Sequence, residues 1–391
     1  MSTPDPIQVL LGSLEPSEPL SSTITFLDWY RTRSAGPDLE VLALHPGTAA
    51  AAIRAVARTS VVYDPHGWSV SRMVQRAGLQ KPAASLRAAE LRRRLQIQGP
   101  VYVADVDAAR LLHRLGPDAG PVVTHLHATG PGLGHLDEAD RRILVERTDR
   151  WIAGSDDART QAVEAGADPG VIVVLPDLLS LPGIGDLDAD FLASVRRDLA
   201  DRLQIPTDAP LAVGVGSVDW WQVPDAFLRV AWEVVRRDGG AGAQFLWVAD
   251  GATDRMLWPL RHDIRHAGLE SVVHIDTGDG RPWHQIAAAD VLVSSRLGDH
   301  QPIGHREAAL LDVPVVWFDD PGRPPLVDAD QGQSVPHLDI AAMADAVVAT
   351  FGRDAGRDRS HLPAGRPAPW LPIVGGSSIL DLLTGTVPTG S

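Results

Sequence analysis

The chain has 391 residues, which at roughly 100–200 residues per domain predicts two domains. Fifty acidic against 35 basic side chains give a net charge of −15, so no nucleic-acid partner is expected. The absence of cysteine excludes disulfides, thiolate catalysis and Cys-held metals. Met1-Ser2-Thr3-Pro4-Asp5-Pro6 has no basic leader, and no apolar run approaches the ~20 residues of a membrane span, so a cytoplasmic location is expected.

Short apolar runs alternate with helical patterns along the chain. Strands are predicted at Ile7–Leu11, Leu39–Leu44, Ser60–Tyr63, Val101–Val103, Pro121–Leu126, Arg150–Ala153 and Val171–Leu175. Helices are predicted between them at Ser21–Arg33, Ala49–Val56, Ala83–Leu95, Val106–Leu115, Asp137–Thr148 and Ser155–Ala165. Strand–helix alternation implies parallel βαβ units, and continuous Val/Ile/Leu strands imply burial on both faces. Leu181-Pro182-Gly183-Ile184-Gly185-Asp186 reads as a linker. The alternation then restarts, with strands at Leu211–Val215, Gln244–Val248, Val272–Ile275, Val291–Ser294 and Val313–Trp317. Their helices are Phe191–Leu203, Pro224–Arg236, Met256–Ala267, Trp283–Ala288, Gly304–Leu311 and Ile340–Phe351. A Pro/Gly-rich tail ends in a short apolar helix near Ser377–Leu383.

The most informative segment is Asp290–Phe318. A strand ends at Ser294-Ser295, a loop carries Arg296 and Asp299, and a helix opens near Gly304 with Glu307 in its early turns. A helix N-terminus can receive phosphate, and a carboxylate there can accept hydrogen bonds from ribose hydroxyls. The plainer reading of Glu307 is a surface acid that favours the helix dipole. His125 and His127, two residues apart, are expected to point to opposite faces and so not to form a metal pair. No metal is expected.

Asp299, seven intervening residues, Glu307-Ala308 and the strand Val313-Pro314-Val315-Val316 resemble the nucleotide-sugar signature of the GT-B retaining glycosyltransferases of family 4. Trp151–Ser155, Val173–Asp177, Phe245–Gly251 and Val122–His127 resemble other segments of that family in order and spacing. The resemblance spans roughly residues 100–350. It implies an α/β GT-B fold, two Rossmann-like domains facing each other across a cleft, with a C-terminal helix crossing back. The domains expected are 1–180, 187–352 and a tail, 353–391, returning to the first.

The resemblance also implies a sugar transfer with retention, from a nucleotide sugar donor to an unassigned acceptor, with no cofactor. His127 and Asp299 would be the catalytic contacts. Glu307, Arg296, Arg281, Ser217, Gly304 and Ile303 would hold the nucleotide. Two departures bear on this. Trp221 and Gln222 stand where the family carries an Arg and a Lys that neutralise the diphosphate, a large term in such transfers. Where the family's loop after the first strand is Gly-rich, Gly12–Pro19 holds one glycine, two prolines and the acids Glu15 and Glu18. Arg296, with Arg281, is the expected substitute cation. The alternative is a degenerate member that binds a nucleotide or a partner without transferring sugar.

Overall fold

The computed structural model describes residues 5–63, 97–179, 189–218, 222–249, 252–277, 282–296, 303–319, 332–354 and 372–384, apart from 34–36, 98, 117–118 and 129–131; of residues 73–89 it describes 73–74, 77–78, 80–82, 85–86 and 89. The chain divides into two units, Met1–Ser180 with Pro367–Ser391, and Leu181–Arg366. The predicted linker, most of the predicted Ala83–Leu95 helix and the Trp220-Trp221 pair lie outside the described residues.

In the first unit the described strands form one parallel sheet. They are β1 (Ile7–Ser13), β2 (Leu39–His45), β3 (Arg58–Val61), β4 (Val101–Val103), β5 (Val122–Leu126), β6 (Arg150–Ala153) and β7 (Ile172–Val174), in the order β3-β2-β1-β4-β5-β6-β7. Ile7 to Gly12 are buried without interruption, because helices cover both faces of a parallel sheet. Side-chain caps start the helices: Ser155 Oγ accepts from Ala158 N at 3.2 Å ahead of Asp156–Glu164, and Asp137 accepts from Asp140 N at 2.8 Å ahead of Glu138–Arg147.

The first helix begins at Glu18 rather than Ser21, since Ser17 Oγ accepts from Leu20 N at 3.2 Å. Glu18 is therefore a first-turn acid rather than a loop acid. Glu15 is occupied as well, accepting from the backbone and hydroxyl of Thr48 at 3.4 Å. The segment Val106–Leu115 forms a 3-10 turn, Val106–Ala108, and a single α-turn, Ala109–Leu112, instead of one helix.

The second unit repeats the order with β8 (Leu211–Val215), β9 (Gln244–Val248), β10 (Val273–Asp276), β11 (Val291–Ser294), β12 (Val315–Phe318) and β13 (Gly332–Val335), arranged β10-β9-β8-β11-β12-β13. Sequence reasoning missed β13: it is an edge strand whose Gln333 and Ser334 are exposed, so it leaves no apolar run. Gly214 is dictated by packing, because a Cβ there would lie 2.7 Å from the Trp247 ring and 2.9 Å from Phe227. Arg196, on the helix Ala189–Leu203, fastens that helix to the start of the sheet by donating to the carbonyls of Thr207, Ala209 and Ala288.

The last helix, Pro372–Thr384, belongs to the first unit. Ile379, Leu382 and Leu383 are buried in one cluster with Ile7, Phe26 and Tyr102, and Gly376 lies against Trp29, where a Cβ would meet the indole at 2.6 Å. Leu383→Ala removes a fully buried side chain and is expected to destabilise the first unit by about 2–5 kcal/mol. Urea unfolding followed by tryptophan fluorescence reads this; an unchanged midpoint would contradict the packing of the tail.

Candidate functional site

The second unit brings its polar groups together where β8 and β11 end side by side, paired through Leu292↔Val213. Chain connections leave these two strands in opposite directions, the position at which open α/β sheets bind ligands. Ser295, just past β11, is buried and donates its hydroxyl to the Gln222 carbonyl at 2.9 Å. That bond ties the loop after β8 to the end of β11. Gln222 is itself buried, and its side chain lies so close to Gly216 that a Cβ there would meet Oε1 at 2.5 Å. Val223 then takes a left-handed conformation, φ 48°, and Pro224 opens the helix Pro224–Val234. Of the two positions that lack the expected cation, Gln222 is thus a packed part of the loop.

The helix Ile303–Leu310 follows β11 and turns Ile303, His305, Arg306, Glu307 and Ala308 inward. Glu307 is 5% exposed, which removes the reading of it as a solvated surface acid. Gly304 is not forced by packing, since a Cβ there would make only ordinary 3.9 Å contacts with Ile286 and Leu292. Ser217 is exposed immediately after β8, and Arg296 is half-buried after β11. Asp299 and Arg281 lie outside the described residues.

Sequence reasoning passed over His305 and Arg306, which are 2% and 6% exposed. Both ring nitrogens of His305 are buried without a hydrogen-bond partner. Burial, and then the charges of Arg296 and Arg306, push its pKa down to about 3. Two guanidinium charges, Arg296 and Arg306, therefore act on His305, and the second was not among the cations the sequence suggested. The available signal was the charge of Arg306 next to an inward-facing Glu307, one turn into the helix.

The first unit has its own polar cluster at the strand ends. His125 ends the buried face of β5, His127 follows it, and Asp177 lies beyond β7. The expectation that the two histidines face opposite sides is wrong, because alternate residues of an extended chain share a face. Their rings stack at 3.9 Å with an interplanar angle of 24°. His127 Nδ1 is bonded to Asp177 Oδ1, and its Nε2 donates to the Ala104 carbonyl at 2.8 Å. Asp177 Oδ2 accepts from Ala128 N at 3.0 Å, and His125 Nδ1 is hydrogen-bonded to the Tyr102 hydroxyl at 2.7 Å.

Both nitrogens of His127 face oxygen acceptors, so the ring carries two protons in this arrangement. Burial lowers its pKa, but the charge and hydrogen bond of Asp177 outweigh burial and raise it. Burial pushes Asp177 up, but the His127 charge and the polar contacts of both imidazoles hold it well below the usual carboxylate range. His125 is brought to about 4 by burial and then by the His127 charge. Gly154 permits this arrangement: a Cβ there would lie 2.4 Å from Ala128 N, the group that holds Asp177.

No protein-family model matches the chain. Ninety-six residues are 38% identical to a D-inositol 3-phosphate glycosyltransferase of Nocardiopsis dassonvillei, covering 24% of this chain and 21% of that protein. A protein of the same name from Kineococcus radiotolerans is 34% identical over 94 residues, 24% of this chain and 20% of the relative. The match thus spans about a fifth of the length of these relatives. Among solved structures, HepE of Anabaena in complex with UDP and glucose superposes with a TM-score of 0.72 over 97% of this chain and 99% of that one, at 16% identity. TarM of S. aureus, solved with UDP and α-GlcNAc-glycerol, gives 0.62 over 98% and 97% at 10% identity. The chain has the GT-B fold. Over about a quarter of its length it is 34–38% identical to proteins named D-inositol 3-phosphate glycosyltransferase.

His305 supplies a pH test of the charge around the Ile303–Leu310 helix. The unfolded ring takes up a proton near pH 6.5 and the folded one only near pH 3, so acid favours the unfolded chain between these values. Between pH 7 and pH 5 this one group should cost about 2 kcal/mol of stability. His305→Leu should lose that part of the acid sensitivity in chemical unfolding at the two pH values. An identical pH dependence in both proteins would contradict the burial of this ring beside Arg296 and Arg306.

Proposed function

We propose that the chain is a glycosyltransferase that moves a sugar from a nucleoside diphosphate sugar to an acceptor hydroxyl, with retention and without a cofactor. The observation that carries this reading is the buried Glu307 carboxylate, early in a helix that starts at the switch point of the second sheet. The leaving diphosphate would lie on the free amides at the start of this helix, where its growing charge meets fixed dipoles. Glu307 would accept the ribose hydroxyls. Arg296 and Arg306 would supply the charge that Trp221 and Gln222 do not. Ser217, Gly304 and Ile303 would line the nucleotide, and Arg281 would add a further cation.

UDP and glucose in the HepE structure and UDP in the TarM structure support a nucleotide sugar as donor for this chain too. Asp299 keeps the role near the sugar that the resemblance gives it. For His127 to contact the sugar through its ring, one nitrogen would have to leave Asp177 or the Ala104 carbonyl. None of the comparisons supports the non-catalytic reading.

A thermal-shift panel of nucleoside diphosphates and their sugars identifies the donor, since a ligand at ~100 times its dissociation constant adds about 2.7 kcal/mol. Glu307→Gln keeps the shape and removes the charge. It should weaken binding of the selected nucleotide by roughly 1–3 kcal/mol in calorimetric titration, the scale of hydrogen bonds to charged groups. Wild-type affinity in this variant would remove Glu307 from the site. No shift across the panel would overturn the donor assignment.

A further inference from the structure

We propose that His125, His127 and Asp177 form a binding site for one divalent transition-metal ion, of which Zn²⁺ fits best. The donor atoms His125 Nε2, His127 Nδ1 and Asp177 Oδ1 belong to three buried side chains and all lie within 4.8 Å of one another. This proposal rests on the first unit alone and not on the nucleotide reading of the second. It departs from the expectation of no metal, whose argument from opposite ring faces does not hold.

The remaining polar atoms of the three residues are already fixed. Tyr102 holds His125 Nδ1 at 2.7 Å, the Ala104 carbonyl holds His127 Nε2 at 2.8 Å, and Ala128 N donates to Asp177 Oδ2 at 3.0 Å. Such outer contacts orient the ligands of metal-binding histidines and carboxylates and select the nitrogen that faces the ion. His125 Nε2 is buried without a hydrogen-bond partner and sits 3.3 Å from Asp177 Oδ1. Two ligands of a tetrahedral zinc, each about 2.0–2.1 Å from the ion, stand about 3.4 Å apart, close to that separation. His127 Nδ1 and Asp177 Oδ1 are closer because a proton lies between them. The ion takes that proton's place, the two atoms part, and one proton is released to solvent.

Two imidazoles and one carboxylate suit zinc, cobalt, nickel or copper, whereas magnesium and calcium prefer oxygen ligands alone. The fourth position of a three-ligand zinc is filled by solvent. Bound there, the ion would cross-link the ends of β5 and β7, which are separated in the sheet by β6.

Another histidine pair must be kept out of the measurement. His262 and His266 lie one turn apart on the helix Asp254–Ala267 with ring centroids 4.0 Å apart, a spacing able to bind the same ions. All proteins in the test therefore carry His262→Gln and His266→Gln. The full chain is stripped with a chelator and titrated with Zn²⁺ against a chromophoric chelator, and separately with Co²⁺ by visible absorption. One equivalent should bind, with tetrahedral Co²⁺ bands.

Asp177→Asn should weaken Zn²⁺ binding at least tenfold. Tyr102→Phe leaves all three ligands and should weaken it about tenfold, as loss of an outer contact does. X-ray absorption of the zinc-loaded protein should report two imidazoles and at least one oxygen, which requires no variant to fold. Absence of stoichiometric binding, undiminished affinity in a folded Asp177→Asn, or a zinc shell without two imidazoles would each overturn the proposal and leave the cluster as an ion pair only.

Discussion

A parallel sheet covered on both faces has no polar surface of its own. That constraint organises the whole chain. Apolar side chains dominate β1, β8, β9 and β11, so most polar and charged groups collect where the strands stop. In the first unit these are His127 and Asp177; in the second, Ser217, Ser295, Arg296 and the buried polar turn of Ile303–Leu310. The two units reach this result with one strand order, which sends connections away on either side of β1 and β4, and of β8 and β11. Neither site needs an unusual backbone except where a glycine or a left-handed residue makes room, as at Gly154 and Val223.

Charge at the two strand-end clusters is balanced in different ways. In the first unit, buried Asp177 and His127 neutralise each other, and every remaining polar atom of His127 and Asp177 meets a backbone group or a neighbouring ring. Breaking such a pair leaves an uncompensated charge in a dry interior, a cost of several kcal/mol. In the second unit the positive charges of Arg296 and Arg306 surround a neutral His305 and lie near an acid, Glu307. A field of that sign suits a diphosphate more than a neutral sugar, which agrees with the helix start beside it.

The sheet strands were largely legible in the sequence because burial on both faces writes them as unbroken apolar runs. Capping was legible for the same local reason: Ser155 and Asp137 act within three residues. What was hidden depends on distance along the chain or on an atypical environment. Asp177 meets His127 across 50 residues, so no motif announces the cluster. The edge strand β13 is half polar. His305 and Arg306 are polar residues on the inward face of a helix, where pattern reading expects apolar ones, and Glu307 was readable only through its spacing from Asp299. Gln222, at a position where the family carries a cation, is instead buried against Gly216.

The nucleotide reading of the second unit puts a nucleoside diphosphate at the start of the Ile303–Leu310 helix. The most direct measurement is a crystal structure of the full chain grown with the nucleotide that binds most tightly. Phosphate density is expected against the first amides of that helix, with a ribose hydroxyl within hydrogen-bond distance of the Glu307 carboxylate. Nucleotide density that leaves Glu307 without a ribose contact would contradict it.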